Sequence, residues 1–267
     1  MSTMEHFQNH NVTGLGFGLD FTSDFGRLEP LLRACNLAKF DDSGAKGTEY
    51  VIASTRAGGV AASVGWSLYG PDIAILHSLA VAPSSRGSGI GASVLAGAML
   101  RLREVLGVDS IYIRASGAVG FFTGFGFLEI SAKELPPELE ENNFAHGGSG
   151  RLMARKYGRS RPGLDQCAFC LIENNSTNAK LPTGSVFWFR QSGAVLEAQY
   201  RGGTVVRGHL LGARDGQSLR FVWQQCTESG ELLRGSGEIF VKVLDDGRRE
   251  LREKMGEHPG ELLLREL

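Results

Sequence analysis

The run Leu79-Ala80-Val81-Ala82-Pro83-Ser84-Ser85-Arg86-Gly87-Ser88-Gly89-Ile90-Gly91 joins a β-rich start to closely spaced glycines and one cation, directly ahead of a helical pattern. Glycines leave backbone N–H groups bare, and a helix N-terminus adds the positive end of its dipole. Such a turn holds a pyrophosphate without a large net charge, and Arg86 adds a forked cation. Two residues before Leu79 stands His77, whose ordinary imidazole suits proton transfer near neutrality. Alone, Gly87-x-Gly89-x-x-Ala92 also fits a dinucleotide-binding fingerprint. The preceding strand, however, arrives from an antiparallel hairpin at Gly70-Pro71, and Asp109 begins the next strand instead of ending it.

Cys167-x-x-Cys170 is the other short motif. Zinc needs two more ligands at comparable spacing, while Cys35 and Cys226 stand alone. On a strand, residues three apart point to opposite faces, so two reduced strand cysteines and no metal are expected.

The elements that must position these residues follow from periodicity. Gly14–Phe21 reads as a strand, and Asp24 caps a helix with Leu28, Leu31, Leu32 and Cys35 on one face, which Pro30 forces to start late or kink. The runs 50–55, 60–68 and 73–81 form an antiparallel meander. From Ile90 to Leu106 the apolar positions 90, 94, 95, 98, 102 and 105 keep helical spacing, and Gly107 offers a left-handed stop. A strand 110–114, a short helix 118–123, a strand from Phe127 and a strand 152–157 complete the first half. Residues 131–150, acidic and Gly-rich with Pro136-Pro137, read as a long surface connection with room for a helical turn. Residues 159–163 have the composition of a linker. Beyond it, β-rich runs alternate with turns such as Ser192-Gly193, Gly202-Gly203, Asp215-Gly216 and Asp246-Gly247. That pattern predicts seven or eight antiparallel strands over 164–267, and closure into a barrel removes their edges.

The chain has 267 residues, 42% hydrophobic, with 28 Lys and Arg against 29 Asp and Glu. Two domains are therefore expected, 1–158 and 164–267, and no basic surplus exists for a nucleic-acid backbone. Residues 1–11 hold neither Lys nor Arg and no apolar core, and the helix beginning at Ile90 is too short for a bilayer. A cytoplasmic protein without a membrane partner is expected.

Arg86-x-x-Gly89-x-Gly91 after Leu79-Ala80-Val81 resembles the coenzyme A pyrophosphate motif of the GNAT superfamily of N-acetyltransferases. Ala118-Val119-Gly120-Phe121-Phe122-Thr123-Gly124-Phe125-Gly126-Phe127 is similar to that family's second signature. The likeness covers about residues 12–158. Leu76–Gly91, the paired phenylalanines and Glu134-Leu135-Pro136 look closest to a subfamily associated with arsenic resistance. The resemblance implies an α+β fold, a mixed, mostly antiparallel sheet with helices, followed here by the small all-β barrel. It implies acetyl-CoA as cosubstrate and the primary amine of a small molecule as acceptor. Strands 73–81 and 110–114 would splay around the thioester, with the backbone at Leu79, Ala80 and Val81 beside the pantetheine. Arg86, Gly87, Ser88, Gly89, Ile90 and Gly91 would hold the pyrophosphate, and Phe121 would pack on the cofactor.

In such enzymes a neutral amine attacks the thioester, so a base, an oxyanion site and a proton for the leaving thiolate are needed. His77 is the expected base. An arylalkylamine-acetylating branch has histidine at this place in a Leu-His-x-Leu-Ala-Val run, whereas many relatives place glutamate where this chain has Ile75. The family's acid, a tyrosine, is replaced by Phe122, which leaves Ser116, Tyr112, a water or the ammonium-derived proton, with Ser116 the expected catalytic residue. A competing reading is a catalytically weak acetyl-CoA or ligand binder.

The second half resembles short bacterial barrel proteins labelled N-acetylglutamate synthase, through Tyr200-Arg201-Gly202-Gly203 and Gly208-His209-Leu210. It carries no comparable site. Alternation puts Val186, Trp188 and Arg190 on one strand face and Phe221, Trp223 and Gln225 on another, and inward-facing sets of this kind line a ligand cavity or fill the barrel. Substrate selection or contacts in a homodimer are the roles expected of it.

Overall fold

The computed structural model describes residues 17–55, 57–142, 144, 149–157, 163–175, 180–253 and 262–267. The expected linker lies outside these residues except for Gly163.

The first half is a seven-stranded sheet in the order β1-β2-β3-β4-β5-β7-β6. Its strands are β1 (Phe17–Thr22), β2 (Gly47–Thr55), β3 (Val60–Leu68), β4 (Ile73–Val81), β5 (Ser110–Ala115), β6 (Leu128–Glu129) and β7 (Arg151–Lys156). All neighbours are antiparallel except β4 and β5, so the sheet is mixed as expected. Asp24 caps a single 3-10 turn (Phe25–Arg27) through the Gly26 amide, and Pro30 sits in the first turn of α1 (Glu29–Ala34). The predicted late start is thus observed, at the position where proline has no N–H to lose.

Helix α2 (Ile90–Leu100) departs from the amphipathic expectation. Ile90 and every residue from Ala92 to Leu100 are buried. It ends in a π-helical turn (Arg101–Val105) before Gly107 at φ 68°, so Val105 is turned out and half-exposed. A helix buried all round needs cover on both sides. The sheet supplies one side, and the second half supplies the other.

That second half is a closed antiparallel barrel in the order β10-β11-β12-β13-β14-β15-β8-β9. Its strands are β8 (Cys167–Asn174), β9 (Val186–Ser192), β10 (Val195–Gly202), β11 (Val205–Asp215), β12 (Ser218–Thr227), β13 (Leu232–Val243), β14 (Arg249–Glu253) and β15 (Leu262–Glu266). Phe169, Phe187, Phe189, Tyr200, Leu219, Phe221 and Leu251 pack inside it. Outward residues of β8, β9 and β15 and the neighbouring Leu267, namely Ala168, Cys170, Ile172, Val186, Leu263 and Leu267, join the core of the first half. Val186 and Trp188 therefore face outward, against the expected inner face, because Phe187 and Phe189 take the interior and alternation fixes the rest. Phe221 and Gln225 do point inward, and the Tyr200 hydroxyl lies 3.2 Å from Gln225 Oε1. Cys167 and Cys170 fall on opposite faces as reduced, buried thiols, one in each core.

Polar contacts tie the halves at the same face. Glu104 lies 3.3 Å from both Arg248 and Arg265, and Ser93 Oγ donates to Gly184 O at 3.1 Å. The connection after Ser131 is not a surface loop throughout: α4 (Pro137–Glu140) and its flanks bury Leu135, Leu139 and Phe144 against Tyr69, Ile73, Ile75 and Tyr112. Apolar residues spaced along that acidic segment drive it onto the sheet face away from α2.

Candidate active site

Strands β4 and β5 pair only from Ile73 to Leu76 against Ser110 to Ile113, and then part. On its other side β4 stays paired with β3, but Ser63 opposes Ala80 while Gly65 opposes His77, so β4 holds one extra residue in a bulge. Within it Ser78 adopts φ 53°, left-handed for a residue with a side chain. Ala82 N donates to Ala61 O, so Leu79 and Val81, of opposite parity, turn their backbone groups into the gap. The splay expected between these strands is present.

At the C-terminal end of β4 the chain makes a 3-10 turn (Pro83–Ser85) and enters α2 through Gly87 at φ 80° and Gly89 at φ 90°. Among the described residues, the amides of Gly87, Ser88, Gly89 and Gly91 have no backbone partner. A Cβ on Gly91 would come within 2.9 Å of Val81 Cγ2, so glycine is what lets α2 lie this close to β4. Arg86 donates through Nε to Val81 O at 3.3 Å, and Ser88 Oγ donates to Ser85 O at 2.7 Å. A cleft of about 350 Å³ opens over this turn, bounded by Val81, Arg86, Gly89 to Ala92 and Phe121 of α3 (Val119–Gly124). Of the expected cofactor residues, Val81, Arg86, Gly87, Gly89, Ile90, Gly91 and Phe121 border it and Ser88 lies within the turn, whereas the Ala80 side chain packs on the opposite side with Leu28 and Tyr50. Leu79 borders a second cavity, across the splay.

That cavity, about 700 Å³, is bounded by Phe40, Tyr69, His77, Ser78, Arg114, Ser116, Phe122 and Phe144. It brings His77 and Ser116 together. Tyr112 is buried in the neighbouring apolar cluster beneath α4. Phe122 packs in the core and offers no hydroxyl.

The His77 ring stacks on Phe40 at 4.2 Å between centroids and meets Tyr50 edge-on at 5.9 Å. Gly65 opposite makes the room, since a Cβ there would come within 2.6 Å of the ring. Burial pushes the His77 pKa down to about 3, partly opposed by the charge of Asp42. The imidazole is therefore neutral at ordinary pH, and its hydrogen bonds define its tautomer. Thr48 Oγ1 donates to Asp42 Oδ2 at 2.9 Å, because a carboxylate only accepts. Its oxygen then accepts from Ser67 Oγ at 2.9 Å, and Ser67 in turn accepts from His77 Nε2 at 3.0 Å. Nδ1 is left as the acceptor, 3.0 Å from Ser78 Oγ at the bulge. Sequence reasoning found His77 but missed Phe40, Asp42, Thr48, Ser67 and Ser78. Only the glycine inside strand β3 hinted that something large sits opposite.

Comparison with known proteins divides the chain as the fold does. Residues 21–127 match the family model of the acetyltransferase (GNAT) family, and residues 162–266 match that of avidin-like proteins. The first half is thus similar to acetyltransferases of the GNAT family. The second half is similar to avidin-like proteins. No curated relative matches. Among solved structures, N-acetylglutamate synthase from Neisseria gonorrhoeae, complexed with coenzyme A and N-acetyl-glutamate, aligns at 18% identity and TM-score 0.43 over 52% of this chain and 35% of that one. A GNAT acetyltransferase from Staphylococcus aureus Mu50 aligns at 16% identity and TM-score 0.41, over 52% of this chain and 99% of its own. Rv2747 from Mycobacterium tuberculosis, in complex with coenzyme A and NLQ, aligns at 14% identity and TM-score 0.42, over 51% and 98%. The chain spans about a third of the Neisseria enzyme.

Proposed function

We propose that this protein transfers the acetyl group of acetyl-CoA to the primary amine of a small molecule with an apolar or aromatic body. The observation that carries this reading is the meeting of two clefts at the β4–β5 gap. The glycine-lined one reaches Val81 and Phe121, and the aromatic one begins at Leu79 and Phe122, neighbours on the same strand and helix. A thioester lying in the gap would face Leu79 and Val81, with the amine arriving past Phe40, Tyr69 and Phe144.

In this reading the amine nitrogen bonds to the carbonyl carbon and the carbon–sulfur bond breaks. His77 Nδ1 takes the amine proton through Ser78 Oγ or a water, and the chain His77–Ser67–Thr48–Asp42 spreads the charge toward a carboxylate. That linkage answers the low basicity of a buried imidazole, which would otherwise hold a proton poorly. Ser116, at the open end of the gap, is the proposed donor to the leaving thiolate. The likeness to the arsenic-resistance subfamily remains part of this proposal.

Release of free thiol from acetyl-CoA in the presence of a panel of primary amines tests it. Binding of acetyl-CoA without release for any amine would favour the second reading, a coenzyme A binder without turnover, which the missing hydroxyl at Phe122 supports.

A further inference from the structure

The cleft over the glycine turn is not walled by the acetyltransferase half alone. Its far side is the barrel: Trp188 of β9, Gln199, Tyr200 and Arg201 of β10, and Arg207 of β11. Arg201 Nη1 reaches across to donate to Gly87 O at 3.3 Å, which places its guanidinium against the turn whose amides are unpaired. One such bond leaves most of a guanidinium's donors unused. Among the described residues, three arginines, Arg86, Arg201 and Arg207, border this cleft, and no carboxylate does. In a chain of net charge -1 that is a marked local excess of positive charge.

Local structure explains how the barrel arginines come to be there. The β10–β11 register shifts between Tyr200 and Gly202, and the β11–β12 register shifts between Val205 and Arg207. Both irregularities lie on the part of β11 that borders the cleft. An extra residue in one strand bends it and re-aims its side chains. Gly202, at φ 151°, has no room for a Cβ, which would fall 2.0 Å from Ser185 Oγ. The barrel wall is therefore bent at the place where it meets the phosphate turn.

Resting on the acetyl-CoA reading above, we propose that the barrel supplies the second half of the coenzyme A phosphate site, with Arg201 and Arg207 as ligands of the diphosphate and 3′-phosphate groups. The glycine turn then offers amides from one side and the barrel offers cations from the other. The avidin-like domain acts through its outer wall, and the cofactor is bound between domains.

Calorimetric titration of the full chain with coenzyme A, dephospho-coenzyme A and S-acetylpantetheine tests this. We expect Arg201→Gln with Arg207→Gln to weaken coenzyme A binding about tenfold or more. Use of S-acetylpantetheine, which carries no phosphate, should lose much less in kcat/KM than use of acetyl-CoA. A smaller loss with dephospho-coenzyme A than with coenzyme A would assign one arginine to the 3′-phosphate, and equal losses would assign both to the diphosphate. Wild-type affinity in the double variant overturns the proposal, as does an equal loss with S-acetylpantetheine, which would mean a packing defect. Arg207→Gln alone, on an exposed side chain, and the double lysine variant guard against misfolding: the first should weaken binding and the second should restore part of it. If the wild-type protein itself binds no coenzyme A, the acetyltransferase reading falls and this proposal with it.

Discussion

In the seven-stranded sheet, regular pairing fails beside the proposed chemistry: β4 leaves β5 after Leu76, and Ser78 turns left-handed in a bulge. In the barrel every strand has two neighbours, the interior is filled by side chains such as Phe169 and Phe189, and two register shifts fall beside Arg201 and Arg207. The first half thus places its irregularity on the aromatic cavity, and the barrel places its own on the cleft over the glycine turn. Regular pairing holds both halves together, and these departures from it re-aim side chains and backbone toward the two cavities.

The comparison breaks first at the glycine turn. Gly89→Glu puts a side chain on a residue at φ 90° and a negative charge among the unpaired amides, so coenzyme A binding should fall about a hundredfold or more by calorimetry. Unchanged affinity would remove the cofactor site from this cleft, whatever the barrel does.

His77→Gln is next. It keeps size and hydrogen bonding, so acetyl-CoA affinity should hold while turnover drops about a hundredfold to ten-thousandfold. The deficit should narrow as pH rises, because more of the amine is then already neutral. Wild-type turnover with an unchanged pH profile would make His77 a packed strand residue.

Glu104→Ala sharpens the link between halves, since it leaves Arg248 and Arg265 facing each other. The three side chains retain 8–17% exposure, so a loss of about 2 kcal/mol is expected, below that of a fully buried pair. Calorimetric melting should show one lowered transition; two separate transitions would mean that the halves unfold independently.

Per pH unit, the smallest effect is a slope. Folded His77 titrates at about 3 and the unfolded residue near 6.5, so between those values the unfolded chain binds a proton that the folded chain refuses. Stability should be complete above pH 6.5 and fall on acidification, by up to about 1.4 kcal/mol per pH unit. His77→Gln should flatten that slope in urea titrations; an unaltered slope would assign it to other groups.

Most strands, the glycine turn and the barrel were legible because each rests on local signals: alternation, turn residues, and glycines ahead of a helix. What was not legible depended on who covers whom. Val186 and Trp188 alternate as a barrel interior would, but Phe187 and Phe189 take the interior and leave them to cover the first half. Leu135, Leu139 and Phe144 sit in an acidic stretch whose composition hides its buried face. The chain from Asp42 to Ser78 joins residues from three strands and a loop, and no spacing in sequence marks it.

The all-round burial of α2 also bears on the order of synthesis. When the helix leaves the ribosome, β8, β9 and β15, which cover its outer side, have not been translated. Ala92, Ala96 and Met99 belong to a helix that must wait with an apolar face open, the kind of surface that invites association with chaperones or with other nascent chains. A stop of translation within the barrel would therefore leave a sticky intermediate in place of a finished enzyme, and the fused barrel serves the first half as a tethered cover that arrives late but at high local concentration.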